Sequence, residues 1–259
     1  MASMIGLLVA ITALLSSHCA SADWSNATAT WYGDRHGACT DVCTYIYCSW
    51  CVRIPGRRPH EAPFSSMITA GGPSIFQDGK ECGACYQVKC SGHASCFDRP
   101  VTVVVTDSCP DCVDEPVRFD LSGTAFGAMA APGQADQLLN AGRLQIQYTR
   151  VSCNWGNGLD IAFRVDGGSN PNYIAVAIEY EDGDGDLSGV ELMQSGAAWQ
   201  PMQRSWGAVW KYNSGAALQG PLSIRLTSGS GKTLEATNVI PGGWTAGATY
   251  RSVVNYNPN

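Results

Sequence analysis

Two aspartates beside apolar runs offer a carboxyl pair for acid–base chemistry. Asp120 lies between Phe119 and Leu121, and Asp107 closes the run Val103-Val104-Val105. Glycosidic cleavage normally needs a protonated carboxyl to assist the leaving oxygen and a second carboxylate to activate water or to attack. Burial beside Phe119 and Leu121 would raise Asp120 above the ordinary aspartate value of about 3.9 and keep it protonated in acidic surroundings. The same side chain could instead cap a helix starting near Ser122. A second chemistry is offered by three Cys-x-x-Cys pairs, Cys48/Cys51, Cys82/Cys85 and Cys109/Cys112, with spacing open to zinc or to disulfides. The apolar stretch from Ile5 to Leu15, followed by Ala20-Ser21-Ala22, predicts a signal peptide over residues 1–22 with cleavage after Ala22. An exported chain oxidises its thiols, so disulfides are expected, with no metal and no other cofactor. The eleven cysteines from Cys39 to Cys153 are an odd number, which leaves at least one unpaired or intermolecular. The turn Asp182-Gly183-Asp184-Gly185-Asp186 opens like a calcium loop. Leu187 and Met193 then stand where that loop requires glycine and a bidentate glutamate, and a hairpin turn between Tyr180 and Leu187 is expected instead.

The elements that must hold these groups are read from composition and pattern. Of 259 residues 45% are hydrophobic and 15% charged, with 29 Gly and 13 Pro. That excludes a disordered chain and a coiled coil and favours short strands joined by tight turns. A net charge of −6 with no basic run beyond Arg57-Arg58 argues against a nucleic-acid partner. The N-terminal apolar run is too short to span a bilayer and no other is longer, so no integral membrane segment is expected and the mature chain is read as secreted. Asn26-Ala27-Thr28 is an N-glycosylation sequon in that setting. Because no cysteine follows Cys153, the chain divides into residues 23–153, a linker over 154–158 and residues 159–259. In the first part 100–106 and 144–151 read as strands, and 121–139 as two short helices. In the second part seven apolar runs, 159–165, 173–180, 190–193, 209–212, 222–227, 233–237 and 250–256, are bounded by Gly, Asn, Asp or Pro, the pattern of a β-sandwich.

Five ordered motifs then carry a resemblance: Thr30-Trp31-Tyr32-Gly33, the stretch from Cys82 to Cys90, Phe119-Asp120-Leu121-Ser122-Gly123-Thr124-Ala125-Phe126-Gly127, Gly168-Ser169-Asn170-Pro171-Asn172-Tyr173, and Ser205-Trp206-Gly207. Together they resemble the β-expansins, plant cell-wall-loosening proteins that include grass group-1 pollen allergens, from about residue 29 to 256 apart from 35–62. The resemblance implies a mainly β protein, a six-stranded double-psi β-barrel followed by an immunoglobulin-like β-sandwich that binds carbohydrate. It implies disulfides Cys85–Cys153 and Cys90–Cys96, with Cys82 bonded to an upstream cysteine for which Cys39 is the candidate; Cys109 and Cys112 would pair locally. It places Asp120 at the position of the acid in family 45 endoglucanases, with Asp107 across the groove and Thr30, Trp31 and Tyr32 beside it. Tyr173 and Trp206 match platform residues, whose flat rings gain dispersion and apolar burial against the C–H faces of sugars. Asn170, Ser205 and Arg150 match their polar neighbours, and Lys211 stands for a family arginine, keeping the charge without the planar fork. Trp199, Trp210 and Trp244 are assigned to the core. The family lacks the endoglucanases' base, so the implied function is non-hydrolytic: a monomer in the plant cell wall that binds wall polysaccharides, cellulose and glucuronoarabinoxylan, and disrupts their non-covalent contacts. Two readings compete, a β-glucan or xylan hydrolase with Asp120 as acid and Asp107 or Asp41 as base, and an inactive carbohydrate-binding or allergen-like protein. The chain departs from the family pattern over 35–62, an insertion or a misplaced exon boundary, and at Arg118, where the family carries histidine.

Overall fold

The computed structural model describes residues 23–35, 62–115, 117–156 and 158–257. The signal-peptide reading, Cys39, Asp41, and the departure at 35–62 except Arg35 and Ala62 lie outside them. Six strands, β1 (Ser25–Tyr32), β2 (Ile68–Gly71), β3 (Cys85–Ser91), β4 (Val101–Ser108), β5 (Arg118–Ser122) and β6 (Arg143–Val151), close a barrel in the order β1-β5-β2-β4-β3-β6. The β1/β5 and β2/β4 pairs are parallel and the other four antiparallel. Period-two alternation turns Ala27 and Ala29, Val103 and Val105, Phe119 and Leu121, and Leu144 and Ile146 into one buried core. Tyr86, Phe119 and Tyr148 meet there ring to ring. A short helix α1 (Pro73–Phe76) follows β2. Two more, α2 (Gly123–Ala128) and α3 (Ala135–Ala141), bring Phe126, Leu138 and Leu139 onto the core. The cap of α2 is Ser122, whose Oγ accepts the Ala125 N–H at 3.0 Å, a bond contributing about 1 kcal/mol. Asp120 is therefore not the cap.

Beyond the barrel the strands are β7 (Ala162–Val165), β8 (Tyr173–Glu179), β9 (Leu187–Met193), β10 (Gln200–Pro201), β11 (Gln203–Trp206), β12 (Val209–Asn213), β13 (Leu222–Ser228), β14 (Thr233–Ile240) and β15 (Thr249–Arg251). They form a four-stranded sheet, β10-β9-β13-β14, and a five-stranded sheet, β11-β12-β8-β7-β15. Phe163, Val176, Ile178 and Trp210 of one sheet share a core with Leu192, Leu222, Ile224 and Leu226 of the other, so apolar burial holds the sheets together, and Arg204 of β11 also donates to Leu187 O of β9 across them. Trp210 is buried and Trp244 packs against this core. Trp199 does not: it lies half-exposed with the Arg225 guanidinium 4.6 Å from its ring.

The acidic segment between Tyr180 and Leu187 is not a hairpin turn. β8 and β9 belong to different sheets, and the chain crossing between them docks on the barrel. Gly183 and Cys153 exchange backbone hydrogen bonds at 2.7 and 3.0 Å. Arg150 ion-pairs with both Glu81 and Asp186 and donates to Asp184 O at 3.2 Å. Glu81 also accepts from the Tyr86 hydroxyl at 3.2 Å. Gly83 and Gly185 stand back to back with φ of 93° and 76°. A Cβ on Gly185 would meet Cys153 Sγ at 2.4 Å and Gly83 O at 2.4 Å, while one on Gly83 would meet Gly185 O at 2.2 Å. Phe64, Trp155 and Tyr180 close the same junction, with ring centroids 5.3–5.6 Å apart.

Candidate functional site

The outward residues of four neighbouring barrel strands make one row. Thr30 on β1 pairs with Asp120 on β5; Asp120 pairs with Ala70 on β2; and Ala70 pairs with Asp107 on β4. Paired residues project to the same face, so Thr30, Asp120 and Asp107 are brought together on the barrel wall. The placement of Asp107 depends on a register shift in the β2/β4 ladder between Thr69 and Ala70, where Thr106 is the extra residue on β4. Without that bulge Asp107 would share the inward parity of Val103 and Val105. Two strand spacings separate Asp120 and Asp107, roughly 9–10 Å between Cα atoms.

Their surroundings differ. Asp120 is half-buried, and its Oδ1 accepts the Thr30 hydroxyl. Burial pushes its carboxyl above the ordinary range; the Thr30 hydrogen bond and the Arg118 charge oppose this, and Asp111 adds to it. Asp107 is 4% exposed, with Oδ1 accepting the Ser108 N–H at 2.8 Å. Tyr32 packs with Ala70 against Cys109 and Cys112, which are disulfide-bonded. Its buried hydroxyl has no hydrogen-bond partner among the described residues, and burial, then the charges of Asp107 and Asp120, raise its pKa. Trp31 points the other way. It pairs with Leu121, packs on the barrel core and donates its indole N–H to Leu139 O at 3.0 Å. Its expected sugar contact is thus corrected to a structural one, because adjacent strand residues face opposite sides. Asn26 is exposed on the same face of β1 as Thr30.

Sequence reading noted Arg118 only as a departure; the structure gives it a position in the row. Its Nε and Nη2 donate to Thr30 Oγ1 at 3.2 and 2.9 Å. Nearby, Glu115 accepts from the Thr28 hydroxyl at 2.6 Å and pairs with Arg143 at 3.1 Å.

A second surface lies on the outer face of the five-stranded sheet. Tyr173 and Trp206, both half-buried, rest on a floor of Ala175, Ala177 and Val209. Small side chains keep that floor level, and Lys211 pairs with Ala175 at its side. Four residues, about 13 Å along β8, separate Tyr173 from the level of Trp206. Ser205 is exposed at the bulge of β11. Asn170 is exposed too, exchanges backbone hydrogen bonds with Tyr173, and accepts the Asn172 N–H at 3.0 Å. Arg150 is not among them: it stands at the junction, occupied by Glu81 and Asp186. The two surfaces are joined through the loop after α1. A Cβ on Gly79 would lie 2.8 Å from Gly207, the residue after Trp206, and Arg204 Nη1 donates to Gly207 O at 2.6 Å and Gly79 O at 3.4 Å.

Among the described residues Cys85 is bonded to Cys153, Cys90 to Cys96 and Cys109 to Cys112. Cys82 is also disulfide-bonded, and its expected partner Cys39 lies outside them. No cluster of three or more His, Cys, Asp or Glu among the described residues could hold a metal ion, and no helix there is long and apolar enough to cross a membrane.

Comparison with known proteins follows the same division. Residues 161–241 match the family model of the expansin C-terminal domain, and 68–148 match a double-psi barrel model described as lytic transglycolase. Expansin-B11 of Oryza sativa subsp. japonica is 54% identical over 90% of this chain and 78% of its own length. Putative expansin-B2 of Arabidopsis thaliana is 48% identical over 98% and 96%. An expansin from Clavibacter michiganensis superposes with a TM-score of 0.67 at 22% identity, covering 92% of this chain and all of its own. A mutant of that expansin in complex with cellohexaose gives 0.65 at the same identity and coverage.

Proposed function

The chain belongs to the expansin family of cell-wall-loosening proteins, which are not enzymes, and from that premise we propose that it grips a wall polysaccharide with the barrel groove and the aromatic platform and separates it from its neighbours without cutting it. The observation that carries the uncut outcome is the burial of Asp107. A base that activates water has to meet solvent, whereas this carboxylate is 4% exposed and holds the Ser108 N–H. The backbone spacing alone would allow an inverting pair; the burial of Asp107 supports the uncut outcome. The cellohexaose bound by the bacterial structure supports a β-linked glucan as ligand, and the groove row with the platform gives glucuronoarabinoxylan the same footing. We assign residues 23–153 to the groove-bearing unit and 159–259 to the platform-bearing unit, joined over 154–158. Secretion after cleavage at Ala22, glycosylation of exposed Asn26 and a monomeric state complete the proposal.

Purified protein applied to heat-inactivated walls should produce extension without release of reducing sugar. Asp120→Asn should abolish most of the extension while leaving retention on cellulose largely intact. Sugar release dependent on Asp120 would establish the hydrolase instead, and neither extension nor sugar would leave a binding protein. On the platform, Trp206→Ala and Tyr173→Ala should each weaken retention on cellulose about tenfold, equivalent to about 1.4 kcal/mol. A pull-down isotherm unchanged in both variants would remove the platform from the reading.

A further inference from the structure

We propose that Arg118 is a positioning residue for the groove acid: it fixes the Thr30 hydroxyl so that its proton goes to Asp120 Oδ1, leaving Oδ2 as the oxygen that carries any proton of Asp120 and meets the ligand. The direction of this relay follows from chemistry. A guanidinium only donates, and a threonine hydroxyl has one proton and two lone-pair positions. Arg118 Nε and Nη2 both donate to Thr30 Oγ1, at 3.2 and 2.9 Å. The hydroxyl proton therefore points to its remaining neighbour, Asp120 Oδ1, at 2.5 Å. A carboxyl oxygen that already accepts so close a hydroxyl is a poor seat for a second proton. The proton of a neutral Asp120 is directed to Oδ2, which has no protein partner among the described residues.

The rest of the row is consistent with this direction. Arg118 forms no ion pair with a carboxylate among the described residues, although Glu115 lies near; Glu115 is held by Thr28 and Arg143. The guanidinium is thus left to act on Thr30 and, through space, on Asp120. The other groups that act on this part of the groove are Asp111 on the loop after β4, Asp107 on β4 and the Tyr32 hydroxyl on β1. Asp107 and Asp111 are acidic and tyrosine gains no positive charge, while Arg143, opposite Thr30 on β6, is paired with Glu115, so none of these stands in for Arg118. Since arginine does not deprotonate in the accessible range, the relay keeps its direction at every pH at which the fold survives.

The inference rests on the groove reading above, so its test is made without polysaccharide. Carbon-13 carboxyl signals of aspartate in the labelled full-length protein are followed by NMR across acid pH. Arg118→Leu should move the Asp120 titration upward, because a cation favouring the carboxylate is lost. Thr30→Val should do the same, and the double variant should shift further than either single variant but by less than the sum of the two, because the through-space charge and the hydroxyl bond are only partly independent. Arg118→Lys keeps the charge and should recover most of the shift, which loss of folding would not do; Thr30→Ser keeps the hydroxyl and should titrate like the parent. An Asp120 titration unchanged by Arg118→Leu, or shifts that simply add in the double variant, would overturn the relay whatever the walls do. If the shifts appear and the pH profile of wall extension stays the same, the relay stands and the groove reading fails.

Discussion

Replacing Cys85 and Cys153 together by alanine is expected to lower stability by about 4 kcal/mol. The bond closes a loop of 68 positions, and releasing it returns that much conformational freedom to the unfolded chain. The loops closed by Cys90–Cys96 and Cys109–Cys112 span 6 and 3 positions, so removing either should cost only about 2 kcal/mol on the same entropy argument. The larger bond also sits where the barrel meets the crossing segment: Cys85 and Cys153 are buried with Val104 against Phe64, Val151 and Trp155. Denaturant unfolding of the double-alanine variant under oxidising conditions measures the difference directly. A loss below about 1 kcal/mol, or a smaller loss than for Cys90→Ala with Cys96→Ala, would contradict the loop-length ranking.

Raising the pH from 5 to 8 is expected to destabilise the protein. Glu181 lies buried in the junction; burial foremost, then the neighbouring charges of Glu179 and Asp186, pushes its pKa from 4.5 up to about 8, against a hydrogen bond from its own backbone and the Arg204 charge. Between those values an unfolded chain releases a proton that the folded chain keeps. The folded state then binds more protons, so stability falls with rising pH. The contribution is complete below about 4.5 and is lost progressively toward about 8, at up to about 1.4 kcal/mol per pH unit. Burial raises Asp182 and Asp186 as well, which adds to the same trend at its acid end. Melting temperatures at pH 5 and pH 8 test the sign, and Glu181→Gln should flatten the difference. A parent protein more stable at pH 8, or a glutamine variant with an undiminished slope, would refute the assignment.

How far the sequence disclosed the site depended on whether the deciding interaction was local. The Val103–Val105 run and the alternation over 144–151 were legible, because strand patterning repeats within the segment. Barrel strands such as β2, four residues all buried, carry no period and were reached only through the resemblance. The sequence places Asp107 at the end of a strand, but the bulge at Thr106 that turns it outward exists only in the pairing with β2. Trp31 and Tyr32 look alike as sugar contacts until the register of β1 against β5 sends them to opposite faces. The Asp-Gly repeat after Tyr180 has the local chemistry of a tight turn. Its actual course is set by distant partners, Cys153 and Arg150, which no window around it contains. Trp199 gave the same composition signal as Trp210, and only the sheet arrangement separates the stacked surface ring from the buried one.

The glycines that stand back to back, Gly83 and Gly185, leave no clearance even for a methyl group. Arg150 is bound on both sides of this seam. In the proposed function, groove and platform would act like the jaws of a caliper. A polymer spanning both would have to be straight over that length, which would favour a stiff rod over a coil that would first have to give up its freedom. A single Gly185→Ala change should force the jaws apart and weaken attachment to ordered fibres more than to short soluble oligomers.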